Sequence, residues 1–101
     1  MTYVTADEAK NLAEGAIIGI KLGDKDLLVV NLGGILYAIG NTCTHAGCRL
    51  SMGKRDADHV KCKCHGSVFD IKTGEVVHGP AKTPEPVFKV KTENGEVMID
   101  I

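Results

Sequence analysis

Cys43-Thr44-His45-Ala46-Gly47-Cys48 and Cys62-Lys63-Cys64-His65-Gly66-Ser67 hold every cysteine of the chain and two of its four histidines. Sixteen residues separate His45 from Cys62, so the pattern is C-x-H-x16-C-x-x-H. Each stretch offers one thiolate and one imidazole, and Cys48 and Cys64 fall inside the same loops. Two Cys and two His can close a tetrahedron around zinc. They can also hold a two-iron cluster, with the cysteines on one iron and the histidines on the other. The single residue between Cys43 and His45 is tighter than the usual zinc-finger spacing.

Outward from these loops the chain is patterned as strands. Residues 16–22, 27–32 and 35–39 are apolar runs separated by Gly23-Asp24 and Gly33-Gly34. Residues 68–71 and 75–78 flank Lys72-Thr73-Gly74, and 87–91 and 96–101 flank Asn94-Gly95, a strong hairpin signal. Val97, Ile99 and Ile101 alternate onto one face. Thr5-Ala6-Asp7-Glu8 fits a helix capping box, so the pattern predicts one short N-terminal helix over 6–13, ended by Gly15. The fold class expected is all-β, an antiparallel sandwich or barrel base. Residues 40–67, poor in β-branched side chains and rich in Gly, Cys, His and charge, read as an irregular inserted subdomain.

The chain has 101 residues, a length expected of one domain over 1–101. Its 12 basic and 13 acidic residues leave a net charge of -1, and its aromatics are only Tyr3, Tyr37, Phe69 and Phe88. Without a dominant basic surface or stacking platforms, nucleic acid is not expected as a partner. No apolar run approaches the ~18 residues of a membrane span, and the start at Met1-Thr2-Tyr3 lacks the pattern of a signal peptide. The expected location is the cytoplasm, where four cysteines point to metal or redox chemistry before a secreted disulfide framework.

Both cysteine stretches resemble the two cluster-binding boxes of Rieske iron–sulfur proteins. The resemblance continues through Leu50 and Gly53, then Phe69-Asp70, Thr73-Gly74 and Gly79-Pro80, and is close over residues 35–81. It implies a Rieske-like β base carrying a cluster-binding subdomain at about 40–81. It also implies one [2Fe–2S] cluster, with Cys43 and Cys62 on the inner iron and His45 and His65 on the outer iron. Neutral imidazoles in place of two thiolates make an added electron easier to accept, which raises the potential.

In the bc-type members of this family, cysteines placed as Cys48 and Cys64 form a disulfide, so that bond is expected here. Ser67 stands where a family serine donates its hydroxyl to a bridging sulfide. Phe69 replaces a tyrosine that in high-potential members bonds a ligand cysteine, so one tuning bond is missing. The resemblance therefore implies an intermediate potential within the Rieske range. Gly79 to Ala81 matches the proline loop that covers the cluster, whereas Lys82-Thr83-Pro84 departs from the family pattern.

The function implied is electron carriage, not substrate transformation: a soluble Rieske ferredoxin between a reductase and an oxidase or oxygenase. The rival reading is a small Rieske subunit of a larger oxidoreductase complex. A Rieske oxygenase needs a further mononuclear iron site, for which only His59 and His78 remain as histidines. Both read more simply as surface or strand residues. Lys54, Arg55, Lys61 and Lys63 form a basic group near the loops, suited to docking an acidic partner.

Overall fold

The computed structural model describes residues 2–44, 47–64 and 66–101. In chain order the strands are β1 (Tyr3–Thr5), β2 (Ile17–Leu22), β3 (Lys25–Leu32) and β4 (Ile35–Gly40), then β5 (Lys54–Asp56), β6 (His59–Lys61), β7 (Val68–Asp70) and β8 (Val76–His78). The series finishes with β9 (Val87–Phe88), β10 (Val90–Glu93) and β11 (Glu96–Asp100). They build three sheets, ordered β1-β11-β10, β2-β3-β4-β9 and β5-β6-β7-β8. Every pairing is antiparallel, as the all-β reading expects.

Turn chemistry sets the registers. Leu22 pairs with Lys25 across Gly23-Asp24, Leu32 with Ile35 across Gly33-Gly34, and Glu93 with Glu96 across Asn94-Gly95. Asn94 and Gly95 both have positive φ, the backbone a two-residue hairpin of this kind requires. Strand β3 explains its own unbroken apolar run, because it is buried on both faces. Leu28 and Val30 pack with Cys43, Leu50, Cys62 and Phe69, while Leu27 and Val29 pack with Ile20, Ala38, Val97 and Ile99. Each such side chain contributes about 1.5–3 kcal/mol of burial. One core thus lies beneath the cysteine loops and the other against the terminal sheet.

Three expectations need correction. The helix over 6–13 is a single 3-10 turn at Asp7–Ala9, and its cap position makes no side-chain hydrogen bond. Thr5 is committed to the ladder opposite Met98, and the Ala6 N–H donates to the Val97 carbonyl, so no capping box forms. Asn11 at φ 64 then stops any helical continuation. Second, residues 40–67 contain regular structure: β5 and β6 form a hairpin that joins β7. Third, the run 87–91 is divided between two sheets, β9 pairing with β4 and β10 with β11.

Candidate metal centre

The two cysteine loops share the same pair of backbone hydrogen bonds. The Cys43 N–H donates to the Cys48 carbonyl (2.6 Å), and the Gly47 N–H donates to the Cys43 carbonyl (2.9 Å). In the second loop the Cys62 N–H donates to the Ser67 carbonyl (2.7 Å), and the Gly66 N–H donates to the Cys62 carbonyl (3.2 Å). Gly47 and Gly66 have φ of 75° and 78°, a conformation a side chain disfavours, so the shared C-x-x-x-G spacing is what closes each loop. The two loops therefore present Cys43 and Cys62 equivalently, and both cysteines are buried. His45, Ala46 and His65 lie outside the described residues.

Cys48 and Cys64 are joined in a disulfide with Cα atoms 6.4 Å apart, as the resemblance implied. The bond ties one loop to the other and takes those two sulfurs out of the pool of metal ligands. The sulfurs of Cys48, Cys62 and Cys64 all lie within 4.8 Å of one another.

Asn41 anchors the first loop and was not recognisable from sequence. It is fully buried. Its side-chain N–H groups donate to Asp26 Oδ1 (3.2 Å) and Ser51 Oγ (3.0 Å), and its Oδ1 accepts from the Ser51 N–H (2.7 Å). Its carbonyl accepts from the Leu50 N–H. Arg49 reaches the same Asp26 oxygen at 3.1 Å. Both ends of the loop are thereby fixed to the start of β3. Gly53 completes the turn, since a Cβ there would collide with the Lys61 carbonyl.

Both loops are tied to residues 79–85, which begin with a cis Gly79–Pro80 peptide. Ser67 is fully buried, and its Oγ accepts from the Ala81 N–H at 3.0 Å, so its hydroxyl proton stays available to another acceptor. The Thr44 hydroxyl donates to the Thr83 carbonyl (2.6 Å), and the Glu85 N–H donates to the Gly74 carbonyl (2.8 Å). Residues 81, 83 and 85 are thus pinned in turn. The anchored segment extends past Ala81, further than the family pattern alone implied.

Glu85 is the other site residue that sequence reasoning missed. It is only 5% exposed, and burial pushes its carboxyl up to about 7 against an opposing hydrogen bond from the Thr44 backbone. Its Oε2 has no hydrogen-bond partner among the described residues.

Of the spare histidines, His59 sits beside two carboxylates, 3.6 Å from Asp58 and 4.0 Å from Asp70. His78 is exposed on β8. Phe69 is fully buried in the core beneath both cysteines, and its ring brings no donor. Arg55 leaves the basic group, because its side chain donates to the carbonyls of Gly15 and Ala57.

The family model for the Rieske [2Fe–2S] domain matches residues 2–92. The chain belongs to the Rieske [2Fe–2S] family. It is 31% identical over 99 residues to the ferredoxin component of a naphthalene 1,2-dioxygenase system from Pseudomonas putida, covering 98% of this chain and 95% of that one. It is 36% identical over 81 residues to the cytochrome b6-f complex iron–sulfur subunit of Chlorobaculum tepidum, covering 80% of this chain and 44% of that protein. A chain of the complex of reduced oxygenase and oxidised ferredoxin in carbazole 1,9a-dioxygenase superposes with a TM-score of 0.87 at 33% identity. That match covers 96% of this chain and 91% of the other.

The cofactor of this Rieske domain is one [2Fe–2S] cluster, which supplies a one-electron carrier when bound. The donor set fits it: two buried cysteines, outside the disulfide, on loops with matching backbone hydrogen bonds. Among the described residues, no helix is long and apolar enough to cross a membrane.

Proposed function

We propose that this protein is a Rieske ferredoxin, one domain over residues 1–101, that takes one electron from a reductase and delivers it to an oxygenase. Cys43 and Cys62 hold one iron and His45 and His65 the other, with residues 40–81 forming the cluster-binding part. The matched cysteine loops carry this reading, in a chain that a dioxygenase ferredoxin component parallels over 98% of its length. Ser67 donates its hydroxyl proton to the cluster and tunes its potential, while Ala81 holds the hydroxyl oxygen in place. The protein works in the cytoplasm.

The test is anaerobic purification followed by optical and EPR spectroscopy. The expected result is a red-brown protein with about two irons per chain and a rhombic reduced-state signal. Colourless protein with stoichiometric zinc overturns the reading. Single His45→Cys and His65→Cys variants check the ligands, each lowering the potential by exchanging a neutral donor for an anionic one.

A second reading is a small subunit of a larger complex. The Cys48–Cys64 bond favours it, together with the 36% identity to a cytochrome-complex subunit. Co-purification of a large catalytic chain with the tagged protein from its own source decides for that alternative.

A further inference from the structure

Met52 is 64% exposed, the most exposed of the large apolar side chains among the described residues. It closes the 3-10 turn at Leu50–Met52 that follows the first cysteine loop. On one side of it lies a depression of about 410 Å³, lined by Met52, Gly53, Lys54, Lys61, Cys62 and Lys63. On the other lies one of about 320 Å³, lined by Gly47, Cys48, Arg49, Met52, Lys63 and Cys64. Met52 and Lys63 form the ridge between the two.

The charge on this face runs against the rest of the chain. The protein as a whole carries a net -1, yet the two depressions are lined by Arg49, Lys54, Lys61 and Lys63 and by no acid. Lys54 and Lys61 are register partners across β5 and β6, so both project from the same side of that hairpin. Lys54, Lys61 and Lys63 enter no ion pair among the described residues. Three unpaired cations around an exposed methionine leave like-charge repulsion that an anionic surface relieves.

The same face has a route for the electron. Cys62 lines one depression, and Cys48 and Cys64 line the other. Their three sulfurs lie within 4.8 Å of one another, and Cys64 is exposed. A protein seated here meets the exposed Cys64, whose sulfur lies within 4.8 Å of that of Cys62.

We infer that this face, with Met52 at its centre and Lys54, Lys61 and Lys63 around it, is the docking site for an acidic redox protein. That partner presents carboxylates around an apolar slot that takes Met52. The inference rests on the electron-carrier reading and deepens it by placing the exchange beside the disulfide.

The probe is an acidic flavodoxin in its fully reduced form, with electron uptake by the oxidised holoprotein followed by stopped flow. The charge-reversed variant Lys54→Glu/Lys61→Glu/Lys63→Glu is expected to cut the second-order rate at low salt by about tenfold or more and to abolish its salt dependence. Met52→Ser is expected to cut the rate with its salt dependence intact. A control, Lys10→Glu/Lys89→Glu/Lys91→Glu, makes the same change in net charge near the terminal sheet and is expected to stay within about twofold. Unchanged visible spectra verify that each variant keeps its cluster, and rates are compared after allowing for each variant's measured potential. Equal rates in all variants, or equal slowing by the two reversals, overturn the docking face. A wild-type dimer that the first reversal dissociates also overturns it, by making a second copy the occupant. Failure of the wild type to take an electron from either flavodoxin or dithionite removes the electron-carrier reading instead.

Discussion

Ser67 shows how much one buried hydroxyl can carry. Its oxygen accepts from the Ala81 N–H, which leaves the hydroxyl proton for another acceptor. In the proposed function that proton goes to the cluster, which favours the more negative, reduced form. We expect Ser67→Ala to lower the midpoint potential by about 20–60 mV, a hydrogen bond of ~0.5–1.5 kcal/mol converted for one electron, read by protein-film voltammetry. Glu85 is governed by the opposite physics, since its carboxyl is desolvated and one oxygen has no hydrogen-bond partner among the described residues. Its pKa rises from 4.5 unfolded to about 7 folded, so the native state binds the extra proton between those values. Native stability therefore falls as pH rises from about 4.5 through 7 and stays lower above, by on the order of 2–4 kcal/mol. Glu85→Gln is expected to remove this slope, and urea denaturation at pH 5 and pH 8 measures it.

At the scale of elements, the two loops are short, and their strength comes from what crosses between them. The Cys48–Cys64 bond encloses fifteen residues, for which the chain-entropy account gives about 3 kcal/mol. Reduction with a phosphine is expected to lower stability by about that amount, and guanidinium unfolding with and without reductant checks it. An unchanged midpoint would mean that Asn41 and the pinned segment 81–85 hold the loops unaided. Much of this architecture was legible in the sequence. Gly23-Asp24, Gly33-Gly34 and Asn94-Gly95 each carry the chemistry of their turn, and the cysteine spacing implied the paired loops. The turn at Ala57-Asp58 was not legible, because Ala57 adopts φ 53 without the glycine or asparagine that marks such a position. Thr5 misled because its β-strand use depends on Met98, nearly a whole chain away. Asn41 was silent for the same reason: Asp26 and Ser51 become its partners only after folding.

At the scale of the molecule, β3 divides the protein into two cores that differ in what completes them. The core against the terminal sheet is built from aliphatic side chains such as Leu27, Val29, Val97 and Ile99, and needs nothing else. The core beneath the loops includes Cys43 and Cys62 beside Leu50, Val60 and Phe69, so in the proposed function two of its members also hold the cluster. On that reading, removing the cluster takes the metal from both sulfurs and loosens the second loop, which β6 and β7 flank. The two halves are therefore expected to respond unequally to chelation. Hydrogen exchange should accelerate by about tenfold or more at the amides of β6 and β7, while β2 and β3 stay protected, because local opening follows the part that lost its support. Mass-resolved exchange on holoprotein and on chelated protein with its disulfide intact reads this directly. Uniform acceleration across β2, β3, β6 and β7 would mean that the cores unfold as one unit and that the cluster stabilises the whole chain. Protection confined to the β2–β3 side would identify that half as the scaffold on which the metal-binding half is completed.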